Sequence, residues 1–168
     1  LVLELRVPEI ANPSTPDVWR AIGRLGPTLF AFILSFGIIL ITWVNHSATL
    51  RLVRGSSGPF LYANGAMLLT VALMPFPTAL LGRLLPTSAA APAVVLYNAV
   101  LAAQAVAWIA ITRSALRGGL ARGVDAEGWV RLNERSGYCA TVLFTLFSIG
   151  ALWFPTVVAI LTTATWIV

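Results

Sequence analysis

The residues best equipped for chemistry are Trp43, Val44, Asn45 and His46, at the end of a long apolar run that holds the single histidine of the chain. Trp43 and His46 are three positions apart and share a helix face, with Ser35, Thr42 and Asn45 nearby in projection. Asn64, near the start of the next apolar run, lies at a similar depth because both runs flank one short polar connection. Two readings stand side by side. In one, Trp43 is an interfacial belt aromatic and His46 a capping or headgroup-level residue. In the other, His46 and Asn64 belong to a buried hydrogen-bond network joining helices two and three to a polar residue of helix one. Neutral histidine both donates and accepts, so it can bridge such a network.

The surroundings give those polar groups their cost. Hydrophobic residues are 58% of the 168 residues and charged ones 10%, against roughly 45–50% and about 25% in ordinary soluble domains. Alternation of the kind a barrel strand needs is absent, so the spans must be helices. The pattern predicts an all-α integral membrane protein, one domain with six transmembrane helices. Residues 1–7 are read as the remnant of a first helix whose earlier turns precede Leu1, and no signal peptide is expected. The other helices are expected over 27–49, 60–81, 93–112, 137–153 and 155–168, with Pro75 and Pro77 kinking or ending the third. Loops are expected over Pro8 to Gly26, Pro86 to Pro92 and Arg113 to Arg135.

All eleven basic residues are arginines, and they set orientation. If the first helix leaves the cytoplasm, cytoplasmic connections hold Arg51, Arg54, Arg113, Arg117, Arg122, Arg131 and Arg135, while Arg6, Arg20, Arg24 and Arg83 lie outside. Both termini are then cytoplasmic in a multi-pass cell-membrane protein. The net charge of +5 reads as topology and anionic-lipid contact, not nucleic-acid binding. Cys139 is the single cysteine, which excludes an intrachain disulfide, and a lone histidine excludes the usual multi-histidine zinc sites. Phosphate-loop, nucleophile-elbow and zinc-protease patterns are missing, so no enzyme, cofactor or metal is expected.

The stretch from Phe36 to Asn45-His46, then Tyr62-Ala63-Asn64, then Leu73-Met74-Pro75-Phe76-Pro77-Thr78 resembles the bacterial branch of the transmembrane protein 175 family of potassium channels. Leu1-Val2-Leu3-Glu4-Leu5 resembles the end of that family's first helix. The likeness covers about the first half of the chain; helices four to six match in hydropathy alone. It implies a potassium channel without the TVGYG filter, a homotetramer whose pore is lined by the first helix of each subunit and narrowed by hydrophobic side chains. It also implies that Trp43, His46 and Asn64 meet an arginine and an FSD motif placed earlier in that first helix. Leu3 matches a pore-facing position, whereas packing or lipid contact is expected of Leu1 and Leu5. For Glu4 a cation-attracting carboxylate at the pore mouth and a salt bridge to Arg6 or Arg24 are both open. A coupled secondary transporter and a non-conducting scaffold subunit are the alternatives to a channel, although inverted repeats and paired broken helices are not visible.

Overall fold

The computed structural model describes residues 14–165, which form seven helices: α1 (Thr15–Arg24), α2 (Gly26–Arg51), α3 (Gly58–Leu73), α4 (Pro75–Leu84), α5 (Ala90–Arg117), α6 (Val124–Gly150) and α7 (Pro155–Ala164). An isolated bridge between Val53 and Ala121 is the extended pairing among the described residues. Two stretches, Gly58–Leu84 and Ala90–Arg117, are long and apolar enough to cross a membrane by length and composition. Twenty-eight residues at about 1.5 Å each give α5 a length of about 42 Å, beyond a hydrocarbon core of about 30 Å.

Where helices differ from the sequence reading, local chemistry explains the difference. The expected loop from Pro8 to Gly26 contains α1, started by Ser14, whose hydroxyl accepts the Asp17 N–H at 3.4 Å, and steadied by an Asp17–Arg20 ion pair. The proline-rich lead-in obscured a helix, because proline is tolerated in a first turn where its missing N–H is no loss. The expected third helix is divided at Met74, where its prolines are expected to kink or end it. Pro75 cannot donate to the Val71 carbonyl, and the Met74 N–H takes that acceptor instead at 3.3 Å. Thr78 then donates both its N–H and its hydroxyl to the Met74 carbonyl.

The turn expected over Pro86 to Pro92 is shorter, since α5 begins at Ala90 with Pro92 inside its first turn. The largest correction concerns the connection expected from Arg113 to Arg135. Here α5 runs on to Arg117 and α6 begins at Val124, thirteen residues before the apolar stretch. Charge there marks the ends of two helices and not a loop. Asp125 and Glu127 occupy the first turn, where they complement the helix dipole, and Glu127 pairs with Arg131 one turn on.

α5 is the central element, packed along α6, α3, α4 and α7. Its alanines at 90, 93, 105, 107 and 115 are buried, and their small side chains let neighbouring backbones come close. The closest approach is at Gly137 of α6, where a Cβ would sit 2.8 Å from Ile109 Cγ1. α2 packs chiefly on α4.

The two arginine-rich connections meet at one end of the bundle. Arg54 N–H donates to Leu120 O at 2.7 Å and Arg122 N–H to Leu52 O at 2.9 Å. Arg54 Nε also donates to Ala121 O, and Arg122 Nε to Val53 O. Gly55 and Gly119, at φ of +77° and +59°, make the left-handed turns this clasp requires. Beneath it pack Val53, Phe60, Met67, Ile111 and Val130.

Candidate functional site: a polar seam inside an apolar bundle

Polar side chains buried in an apolar helix bundle are costly unless paired, so their positions mark where the chain spends stability on something other than packing. α5 carries three, Asn98, Gln104 and Thr112, all buried. Each faces a different demand. Asn98 is fully buried, donates from Nδ2 to Val94 O at 3.0 Å and accepts from Thr162 Oγ1 at 2.9 Å, which ties α5 to α7. Thr112 returns its hydroxyl to its own helix, at Trp108 O and Ile109 O. Ser148 of α6 donates to Val95 O, adding a second side-chain tie to α5.

Gln104 is only half satisfied. It is 8% exposed, and Nε2 donates to Thr42 Oγ1 of α2 at 3.2 Å. Its Oε1 is buried with no partner among the described residues. Gln104, Thr42 and Asn45 line one wall of a crevice of about 300 Å³ that Asn133, Ser136 and Gly137 of α6 complete from the other side. Neutral amides and hydroxyls line this space among apolar residues such as Met67, Leu101 and Phe144. Such groups can hold water or a neutral hydrogen-bonding ligand.

The seam continues along α2. His46 Nδ1 and Thr49 Oγ1 are also buried without partners among the described residues. The His46 ring meets Trp108 of α5 edge to face, with centroids 6.2 Å apart. Thr42, Asn45, His46 and Thr49 fall at steps of three and four, so one stripe of α2 is polar.

The residues singled out from the sequence are not joined directly. Trp43 is 61% exposed on the outer side of α2. Asn64 donates from Nδ2 to Phe60 O at 2.7 Å, within its own helix. His46 faces α5 through Trp108. The network expected among them runs through helix one, and the remnant at 1–7, Leu3 and Glu4 included, lies outside the described residues. Gln104 and Asn98, the two amides that do bridge helices, were legible only as polar letters in the apolar run of 93–112. Among the described residues there is no group of three potential metal ligands.

A family model described as the endosomal/lysosomal potassium channel TMEM175 matches residues 1–75. A protein of Chamaesiphon minutus named as a potassium channel is 38% identical over 106 residues, which is 63% of this chain and 52% of that protein. One of Streptomyces collinus, also named as a potassium channel, is 33% identical over 112 residues, 66% of this chain and 53% of that protein. A third, from a Chryseobacterium strain and named likewise, is 34% identical over 82 residues, 49% of this chain and 40% of that protein. The chain thus spans about half the length of the curated relatives it matches. No solved structure matches it significantly. The likeness read from the sequence and these similarities point to the same family, and the family-model match covers the part of the chain that holds Trp43, His46, Asn64 and the Met74 break.

Proposed function

We propose that this chain is the membrane portion of a potassium-selective cation channel, with six membrane-crossing segments per subunit, multi-pass in the cell membrane and with both termini cytoplasmic. The observation that carries the reading is the similarity of residues 1–75 to a potassium-channel family, together with three bacterial relatives that bear the same name. The arrangement of the helices supports it. α2 and α3 leave large apolar side chains uncovered, among them Ile33, Phe36, Leu61 and Leu68, as expected of elements that meet lipid or other subunits. One pore helix per subunit needs several subunits around an axis, and four is the number the family resemblance implies.

Leu3 is the proposed pore-lining residue and Glu4 the proposed mouth carboxylate; potassium is the permeant ion and no cofactor is involved. A ring of leucines gates by excluding water, so a smaller or wetter side chain lowers the barrier to ions. In liposome flux assays with potassium and sodium gradients, Leu3→Ala and Leu3→Asn raise the flux above wild type, while Leu1→Ala leaves the ratio of the two ions unchanged. Unchanged flux in both Leu3 variants removes that residue from the pore. Absence of ion flux from the full-length wild type removes the channel.

A further inference from the structure

At the clasped end of the bundle a second, larger crevice of about 710 Å³ opens between the start of α3 and the end of α5. Pro59, Tyr62, Ala63 and Ala110 give it apolar walls, and Arg113 and Arg117 stand at its edge. The two arginines are one helical turn apart, about 6 Å along the axis, so both guanidiniums reach one small anion. Neither is ion-paired among the described residues. Among the described residues the ion pairs are Asp17–Arg20 and Glu127–Arg131. Arg113 Nη1 donates to Tyr138 OH at 3.3 Å, and that hydroxyl lies 3.5 Å from Glu134 Oε1, so the tyrosine stands between the guanidinium and the nearest carboxylate. Arg113 is held in place by this contact with its remaining donors unused.

From this geometry we propose that the crevice binds an anionic glycerophospholipid, its phosphate on Arg113 and Arg117 and its glycerol and first acyl carbons against Pro59, Tyr62, Ala63 and Ala110. The proposal rests on the reading that Gly58–Leu84 and Ala90–Arg117 cross the bilayer, which places the crevice where one of them emerges. Guanidinium forks match phosphate oxygens in pairs, and a lipid in place of a free phosphate is indicated by the walls. Besides the arginines, Ser57, Ser114 and the Tyr62 hydroxyl are the polar groups of the lining, and the remaining wall is apolar, which suits the glycerol and acyl carbons of a lipid and adds nothing for a free phosphate. The two side chains sit at the level of headgroups, where each basic residue adds appreciably to attraction for anionic lipid.

The test uses the full chain in phosphatidylcholine vesicles that contain a minority of phosphatidylglycerol, followed by mild detergent extraction and native mass spectrometry of the lipid retained. Wild type is expected to keep phosphatidylglycerol in preference to phosphatidylcholine. Each of Arg113→Gln and Arg117→Gln should lower that preference about fivefold, with Arg131→Gln and Arg83→Gln leaving it in place. Ala110→Trp fills the crevice without touching either charge and should lower it as well, which keeps the test decisive if an arginine variant folds poorly. An equal loss in all four arginine variants means attraction to a generally basic surface and overturns the site. Release of the lipid from wild type by millimolar inorganic phosphate means a free-anion site and overturns the lipid assignment. Retention unaffected by Ala110→Trp overturns it too. The readout involves no ion flux, so a chain that retains the lipid but conducts nothing refutes the channel and leaves the lipid site standing.

Discussion

Residues 26–73 and residues 90–164 are both apolar and helical, yet they are finished differently. In the second region α5 lies among four other helices, with Ile111, Ala115 and Val94 almost wholly enclosed and polar side chains that largely find partners within the subunit. In the first, Tyr62 is 85% exposed, Trp43 is 61% exposed, and His46 Nδ1 and Thr49 Oγ1 have no partner among the described residues. The family-model match to a potassium channel, over residues 1–75, includes this first region. α5 is enclosed within one chain, whereas α2 and α3, like the outer faces of α6 and α7, leave large apolar side chains uncovered.

The sharpest way to break this comparison is a pair of glycines. Gly137→Leu drives a side chain into Ile109, where even a Cβ would be 2.8 Å away; overpacking of this kind costs about 1–3 kcal/mol, and leucine belongs at the upper end. Gly65→Ala, on α3, meets nothing within 4 Å and gains helix propensity, so it should be neutral or stabilising by up to about 1 kcal/mol. Thermal unfolding in detergent compares the two. Similar destabilisation by both would mean that α3 is as tightly enclosed as α6.

A smaller effect separates the two bridging amides. Thr162→Val leaves Asn98 Oδ1 buried without its donor, at a cost of about 1–3 kcal/mol. Gln104→Leu removes one hydrogen bond to Thr42 but also an already unpaired Oε1. These two contributions oppose, so stability should change by less than about 1 kcal/mol. Denaturant titration reads both, and a larger loss for Gln104→Leu would show that the α2–α5 seam carries the fold.

The smallest effect on the subunit is expected from Trp43→Ala and Tyr62→Ala, within about 0.5 kcal/mol because both side chains are exposed. Their effect should appear in assembly, as a shift to smaller oligomers by light scattering. Loss of stability with oligomer size unchanged would place these aromatics in the fold of the single subunit.

Much of this was legible in the sequence, and the failures have physical causes. Apolar run length found α2, α3 and α5, because where water is excluded the backbone N–H and C=O groups of an apolar run must pair with one another, and a helix does this within one segment. Arginine placement grouped the 51–54 and 113–135 segments at one end, where the structure brings Arg54 and Arg122 into one clasp. Charge was misread where it sits on a helix outside the apolar stretch: Asp125, Glu127 and Arg131 support the first turns of α6, which hydropathy cannot register. The polar seam was half read. Thr42, Asn45 and His46 share a face by spacing, but Gln104 lies 62 residues from Thr42 in the chain, and no local pattern announces a partner at that distance.

The clasp between the two connections has a mechanical consequence. Each arginine addresses a main-chain carbonyl, Arg54 that of Ala121 and Arg122 that of Val53, and a carbonyl is present whatever side chain occupies the position. The side-chain fastening therefore survives replacement of the residue it grips, and the main-chain pairs of Arg54 with Leu120 and of Arg122 with Leu52 back it up. One end of the α2–α3 pair is pinned in this way to the α5–α6 pair, and toward the other end Met74, where the α3–α4 rod breaks, is held in a core with Ile38, Tyr97, Leu101 and Phe144. The break is therefore enclosed, and the helices are tied at both ends.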